Sequence, residues 1–306
     1  MERYPVGSDS LGIGNGVGSL IYGSLLLGTI LEDPSWFDLS EGLFSQLTEE
    51  RVRNESEPDL LYGIAGLLLA IGQLHKVRPD DRKKRLAAVC LQKLIENFRP
   101  SEGWKRPNGD SPLGFAHGSA GISYAAALAG EIFEDNRARA LAQNGLDFDR
   151  RHFKEAEHNW PSTIHDNHPA SMRAWCSGLT GMLTSRIGIW RIWHDSALRA
   201  EIDANLPFLP DLLGLDHWCC GSAGVVEALL YAAEVLDRQD LLEKARTTAD
   251  QTVRRALKTT YYRFNPHVGE NYCFQPNLFR GLAGLGYTLI RTLEPKSVPS
   301  IMAFEL

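Results

Sequence analysis

The chain has 306 residues, 43% hydrophobic and 23% charged, a balance that suits a globular protein with a sizeable core. Its formal charge of -6 argues against a general nucleic-acid binder. The N-terminal Met-Glu-Arg-Tyr-Pro-Val-Gly lacks the regions of a secretion signal, and the apolar run near 17–31 is glycine-interrupted and short for a bilayer. The expectation is therefore a cytoplasmic protein without stable membrane insertion.

A short glycine motif followed by an apolar, small-residue run recurs six times along the chain. The first copy is Asn15-Gly16-Val17-Gly18, with asparagine in the leading place. The second is Gly63-Ile64-Ala65-Gly66, and an amphipathic helix is predicted after it over 83–98, with Leu86, Cys90, Leu91, Leu94, Ile95 and Phe98 at a period near 3.6. Arg82-Lys83-Lys84-Arg85 reads as a solvated helix face, and Cys90 as core. The third copy, Gly118-Ser119-Ala120-Gly121, follows His117. Residues 148–173 are polar, carry His152, His158, His165 and His168, and read as a solvated loop rather than a second metal site. The fourth copy is Gly178-Leu179-Thr180-Gly181, two residues after Cys176. The fifth, Gly221-Ser222-Ala223-Gly224, follows Cys219-Cys220 and opens a helix apolar nearly all round. An amphipathic helix is predicted over 241–257, a further loop over 258–276, and the sixth copy is Gly281-Leu282-Ala283-Gly284.

Copies lie 43 to 60 residues apart, room for a buried and an amphipathic helix each. Strand signals are weak. The predicted fold is all-α, an α/α toroid, with the buried helices running one way and their glycine starts gathered at one end. That places Cys176, Cys219, Cys220 and His117 at equivalent register positions, within reach of a zinc ion. Five cysteines, an odd count with two adjacent, make a poor disulfide framework and suit metal-binding thiols in a reducing compartment. Three buried structural cysteines remain the alternative. His117 reads either as a proton carrier or as a brace for a helix start. Cys273 falls outside the register. His217 reads as support for the metal or as a surface histidine, and Trp175 and Trp218 as rim packing.

Gly114-Phe115-Ala116-His117-Gly118, Trp175-Cys176-Ser177-Gly178 and His217-Trp218-Cys219-Cys220-Gly221, with the ending from Asn277 to Arg291, resemble a lanthionine synthetase cyclase. The resemblance is to the C-terminal cyclase domain of class II lanthipeptide synthetases and covers roughly the whole chain. It implies a catalytic zinc held by Cys176, Cys219 and Cys220, an active-site histidine at His117, and an active-site aspartate at Asp59. Asp59 also reads as a helix N-cap. The implied reaction is addition of a peptide cysteine thiol to dehydroalanine or dehydrobutyrine in a dehydrated precursor peptide, the dehydration being supplied by a separate dehydratase or by a missing N-terminal region. An arginine common in the family four residues before the Trp-Cys cysteine is Met172 here, with Arg173 beside it, and a tyrosine sometimes following that cysteine is Ser177. The family toroid has seven repeats against six here. A single cyclase-like domain over 1–306, with the first repeat and any dehydratase domain absent, therefore predicts exposed apolar surface near residues 1–30 and near the chain end. Two other readings are a non-catalytic zinc module binding peptide or glutathione, and a toroid glycosidase using Asp59 and Asp216.

Overall fold

A computed structural model describes residues 10–166, 172–265 and 275–306. The regular elements among them are helices, with isolated β-bridges and no strand. No described helix is long and apolar enough to cross a membrane. Chain contacts divide into two compact units, residues 1–153 with 162–167 and Leu306, and residues 154–161 with 168–305.

In the first unit, α1 (Val17–Leu31), α4 (Ile64–Val77) and α6 (Ser119–Phe133) are the apolar helices. α4 is buried from Ile64 to His75, flanked by α1 and α6. Around them lie α2 (Ser35–Ser45), α3 (Glu49–Asn54), α5 (Asp81–Asn97) and α7 (Asn136–Arg151). α5 buries Leu86, Cys90, Leu91 and Leu94 on one face, as the 3.6-residue period predicts. In the second unit, α8 (Leu179–Trp193), α10 (Ser222–Leu236) and α12 (Leu282–Leu293) follow glycine motifs, with α10 packed between the other two. α9 (Ser196–Asn205) and α11 (Gln239–Thr259) are their amphipathic partners. The predicted loops are shorter than expected, because α7 runs on to Arg151 and α11 to Thr259.

The two helix classes start differently. Four amphipathic helices carry a side-chain N-cap: Thr48 for α3, Asp80 for α5, Asp135 for α7 and Asp195 for α9. The six apolar helices have glycine at the N-cap and no side-chain cap. Their first N–H groups are satisfied by carbonyls seven residues back, as in Gly66 to Asp59 (3.3 Å), Ala120 to Leu113 (3.1 Å), Gly181 to Ala174 (3.1 Å) and Ala223 to Asp216 (3.2 Å). The preceding segment therefore folds back over each helix start. Its backbone comes so close that a Cβ at Gly224 would collide with the Trp218 carbonyl. In the first copy the N-cap is Gly16, one residue beyond the leading Asn15, although Gly18 still bonds Leu11 in the common register (3.2 Å).

One expectation changes and another holds. Only half of the basic run is a solvated face: Lys84 and Arg85 are exposed, but Lys83 is buried and paired with Glu41 and Asp80, and Arg82 donates to the Phe44, Ser45 and Leu47 carbonyls. Arg82 thus satisfies the carbonyl end of α2, where the helix dipole is negative. Apolar exposure is present where expected. Leu20, Leu27, Ile30 and Leu31 form an exposed stripe on α1, and Ile290 and Leu293 lie exposed on α12.

Candidate metal centre and its surroundings

The folded-back entry segments bond to one another through equivalent residues. In the second unit, Cys176 N–H donates to the Cys219 carbonyl (3.2 Å), and Cys219 N–H donates to the Phe279 carbonyl (3.0 Å). These three residues each stand two places before a leading glycine. In the first unit the same position carries Leu61, whose N–H donates to the Ala116 carbonyl (3.2 Å). The residue just before each leading glycine keeps part of its surface exposed, as Tyr62, His117, Ser177, Cys220 and Arg280 do. The backbone thus sets an inner, ladder-bonded position and a position beside the glycine, and side chains fill them, with Cys176 keeping part of its surface exposed even at the inner one.

In the second unit Cys176 and Cys219 take the inner position and Cys220 the one beside the glycine. The three sulfurs lie within 4.8 Å of one another, with Cys220 Sγ 3.4 Å from Cys176 Sγ and 3.3 Å from Cys219 Sγ. No other cluster among the described residues could hold a metal. Metal-free, the thiols share their protons. Negative charge settles on Cys219, lowered by hydrogen bonds from Cys176 and Cys220 and then by Arg280. Cys176 is raised by its hydrogen bonds to Cys219 and Cys220 and by burial. Cys220 rises to about 11: its bond with Cys176 lowers it, but donation to Cys219 and burial outweigh that. His217 is buried, its Nδ1 accepts the Cys220 N–H at 3.3 Å, and burial lowers its pKa, so it is a neutral brace for the loop and not a surface histidine.

In the first unit Asp59 is fully buried and does not cap α4, whose N-cap is Gly63. One carboxylate oxygen accepts the Tyr62 N–H at 2.7 Å; the other lies 2.7 Å from His117 Nδ1 and 3.8 Å from Arg106 Nε. Arg106 also pairs with Glu57 at 3.0 Å. His117, 30% exposed, stacks on Tyr62 at 5.3 Å between centroids. With Nδ1 engaged by Asp59, Nε2 is the ring nitrogen left for other partners.

The sequence profile of the lanthionine synthetase C-like proteins matches residues 2–303. The chain belongs to this family. A comparison with curated protein sequences gave no match. Among solved structures, nisin cyclase is similar at a TM-score of 0.73 and 17% identity, over 96% of this chain and 80% of that one. The GH76A alpha-1,6-mannanase from Salegentibacter sp. HEL1_6 is similar at 0.58 and 13%, over 95% and 90%. The unsaturated glucuronyl hydrolase from Bacillus sp. GL1 gives 0.56 and 16%, over 80% and 74%. At these identities the likeness shows the fold, the all-α toroid of the lanthionine synthetase C-like family, and not the chemistry.

Against that family background the remaining candidates resolve. Asp216, the second carboxylate of the glycosidase reading, is buried and engaged by Arg255 and by the Arg263 N–H (2.6 Å), so it anchors a loop. Trp175 and Trp218 are buried and donate to the Met302 carbonyl and the Thr288 hydroxyl. Cys90 is core, its thiol pushed up to about 12 by burial. Of the loop histidines, His152 bonds the Phe148 carbonyl and His158 stacks on Phe208, while His168 and Cys273 lie outside the described residues. Arg280 is the residue that motif reading passed over. Its guanidinium lies against Cys219, which raises its pKa by charge attraction.

The donor set fits zinc. Tetrahedral Zn–S bonds of about 2.3 Å place ligand sulfurs roughly 3.8 Å apart, inside the spread observed here. Soft thiolates favour zinc over hard cations, and three protein ligands leave a fourth position open.

Proposed function

We propose that this chain is a zinc-dependent lanthionine or methyllanthionine cyclase acting on a dehydrated precursor peptide. The observation that carries the reading is the convergence of Cys176, Cys219 and Cys220 sulfurs in a member of the lanthionine synthetase C-like family. Zinc, when bound there, supplies a thiolate form of the substrate cysteine at neutral pH, which a free thiol of pKa about 8.5 populates by only a few per cent. The three-cysteine set supports the class II subgroup.

The chain's own residues have these roles. Cys176, Cys219 and Cys220 hold the metal, and partial exposure of Cys176 and Cys220 leaves the cluster open to a peptide. His217 fixes the Cys220 backbone and so the direction of its sulfur. The family resemblance and the shared register support His117 as the acid that protonates the α-carbon after addition, with Asp59 holding its tautomer and Arg106 and Tyr62 holding Asp59. Reduced thiols at the centre suit the cytoplasm.

The test has two arms. Purified protein is expected to hold about one zinc per chain, lost in the Cys176→Ala/Cys219→Ala/Cys220→Ala variant of intact helicity. The loaded protein is expected to consume dehydroamino acids of a dehydrated peptide with no change in peptide mass. Zinc retained by the triple variant removes the metal assignment. A zinc-loaded protein that binds peptide or glutathione but forms no thioether leaves a binding module.

A further inference from the structure

Arg280 stands immediately before Gly281, the place that Cys220 holds before Gly221. Two bonds fix this segment: Cys219 N–H donates to the Phe279 carbonyl at 3.0 Å, and Arg280 N–H donates to Asn277 Oδ1 at 2.7 Å ahead of α12. The guanidinium engages the Cys219 sulfur and couples electrostatically to all three thiols, yet the residue as a whole is exposed. No carboxylate among the described residues forms an ion pair with it. A purely structural counter-ion would be enclosed with its partner. Arg280 instead has five N–H donors at the exposed margin of the cluster, and Cys219 cannot occupy all of them.

We propose that Arg280 is a catalytic residue whose guanidinium binds the carbonyl oxygen of the dehydroamino acid, where negative charge develops as the thiol adds. The proposal rests on the cyclase reading. In this step the thiolate pair forms the S–Cβ bond, and the Cα–Cβ π pair moves through the α-carbon onto the carbonyl oxygen. The α-carbon then takes a proton and the carbonyl re-forms, so that S–H has added across C=C with no oxidant or reductant. The carbonyl oxygen lies roughly 4 Å from the attacking sulfur, given bonds of about 1.5 Å. A guanidinium that already touches a neighbouring sulfur spans that distance. A fixed cation aimed where charge develops lowers the barrier more than it tightens substrate binding.

The test compares wild type with Arg280→Met and Arg280→Lys, each checked for zinc. Arg280→Met is expected to keep one zinc per chain and its peptide KM within a few-fold, while kcat falls about 100-fold. Arg280→Lys is expected to recover part of kcat. A second readout needs no activity. In metal-free protein, alkylation of Cys219 and Cys220 by anionic iodoacetate relative to neutral iodoacetamide is followed by mass spectrometry. The cation favours the anion, so the ratio is expected to drop about threefold in Arg280→Met and to hold in Arg280→Lys. Unchanged kcat in zinc-loaded Arg280→Met overturns the proposal alone, as does a loss of kcat that only tracks a loss of zinc. An unchanged alkylation ratio overturns the placement of the cation. A wild-type chain that forms no thioether overturns the cyclase reading and this proposal with it.

Discussion

Residues that look alike in sequence are put to different uses by their partners. Cys90 and Cys220 are both thiols with raised pKa values, but Cys90 is enclosed in apolar side chains while Cys220 shares protons with two other sulfurs. Asp59 and Asp216 are both fully buried carboxylates ahead of glycine motifs. Asp216 bonds an arginine and a loop N–H, whereas Asp59 bonds the ring nitrogen of His117. Asp59→Asn removes the charge that holds His117 Nδ1–H, so thioether formation is expected to slow about 10–100-fold with zinc content unchanged. His117→Ala is expected to slow it about 100-fold or more, again with zinc retained. Loss of zinc from His117→Ala would make that histidine a ligand; an unchanged rate per folded molecule would reduce it to a brace. The clustering of Cys176, Cys219 and Cys220 was readable from sequence because sulfur before a glycine motif is rare and recurs in register. Arg280 occupies that register too, but arginine at a helix entry looks like an ordinary exposed cation until Cys219 is found beside it.

At the scale of the helix, burial of the apolar face and closure of the start are separate requirements met by separate residues. The glycine at the fourth motif position lets the entry segment lie on the helix, and Gly224→Ala is expected to cost about 2–3 kcal/mol by driving a Cβ into the Trp218 carbonyl. Chemical denaturation measures this, and an effect below about 0.5 kcal/mol would show that the close approach relaxes freely. Helix positions were legible because a 3.6-residue period and a glycine start coincide. The burial of Lys83 was not, because a run of four cations reads as solvated until Glu41, Asp80 and Phe44 are seen around it. The turn between α4 and α5 adds a pH dependence. His75 Nδ1 accepts the Asp80 N–H, and burial lowers the His75 pKa from 6.5. The unfolded chain therefore binds this proton more readily. Stability from this group is complete above about pH 6.5 and is lost as pH falls toward the lower folded value. His75→Gln is expected to flatten the decline in stability between about pH 7 and 5, and an unaltered slope would mean that the histidine does not contribute.

At the scale of the whole molecule, the uncovered apolar surface is the property most open to measurement. Leu27 and Ile30 on α1 are 39% and 49% exposed, and Leu293 on α12 is 73% exposed. Apolar stripes of this kind are normally covered by a neighbouring helix. The chain is expected to self-associate at micromolar concentration, and Leu27→Glu with Ile30→Glu to return it toward the monomer in sedimentation velocity. A wild-type chain that stays monomeric and unfolds cooperatively would show that these stripes tolerate water. The toroid class was legible because six similar units demand a repeating architecture. The first helix start was displaced by one residue because Asn15 leads that copy and Gly16 takes the cap. The backbone bonds between entry segments carry a further implication for how the protein tolerates change. Where a main-chain ladder sets position, the side chain beside it is free to vary without loss of the scaffold. In a saturation survey, abundance and activity would therefore separate at neighbouring sites: Gly221 and Gly224 intolerant in both, His117, Cys220 and Arg280 permissive for abundance and restrictive for activity. The family's chemistry could then be altered one address at a time, while selection on folding stays almost blind to the exchange.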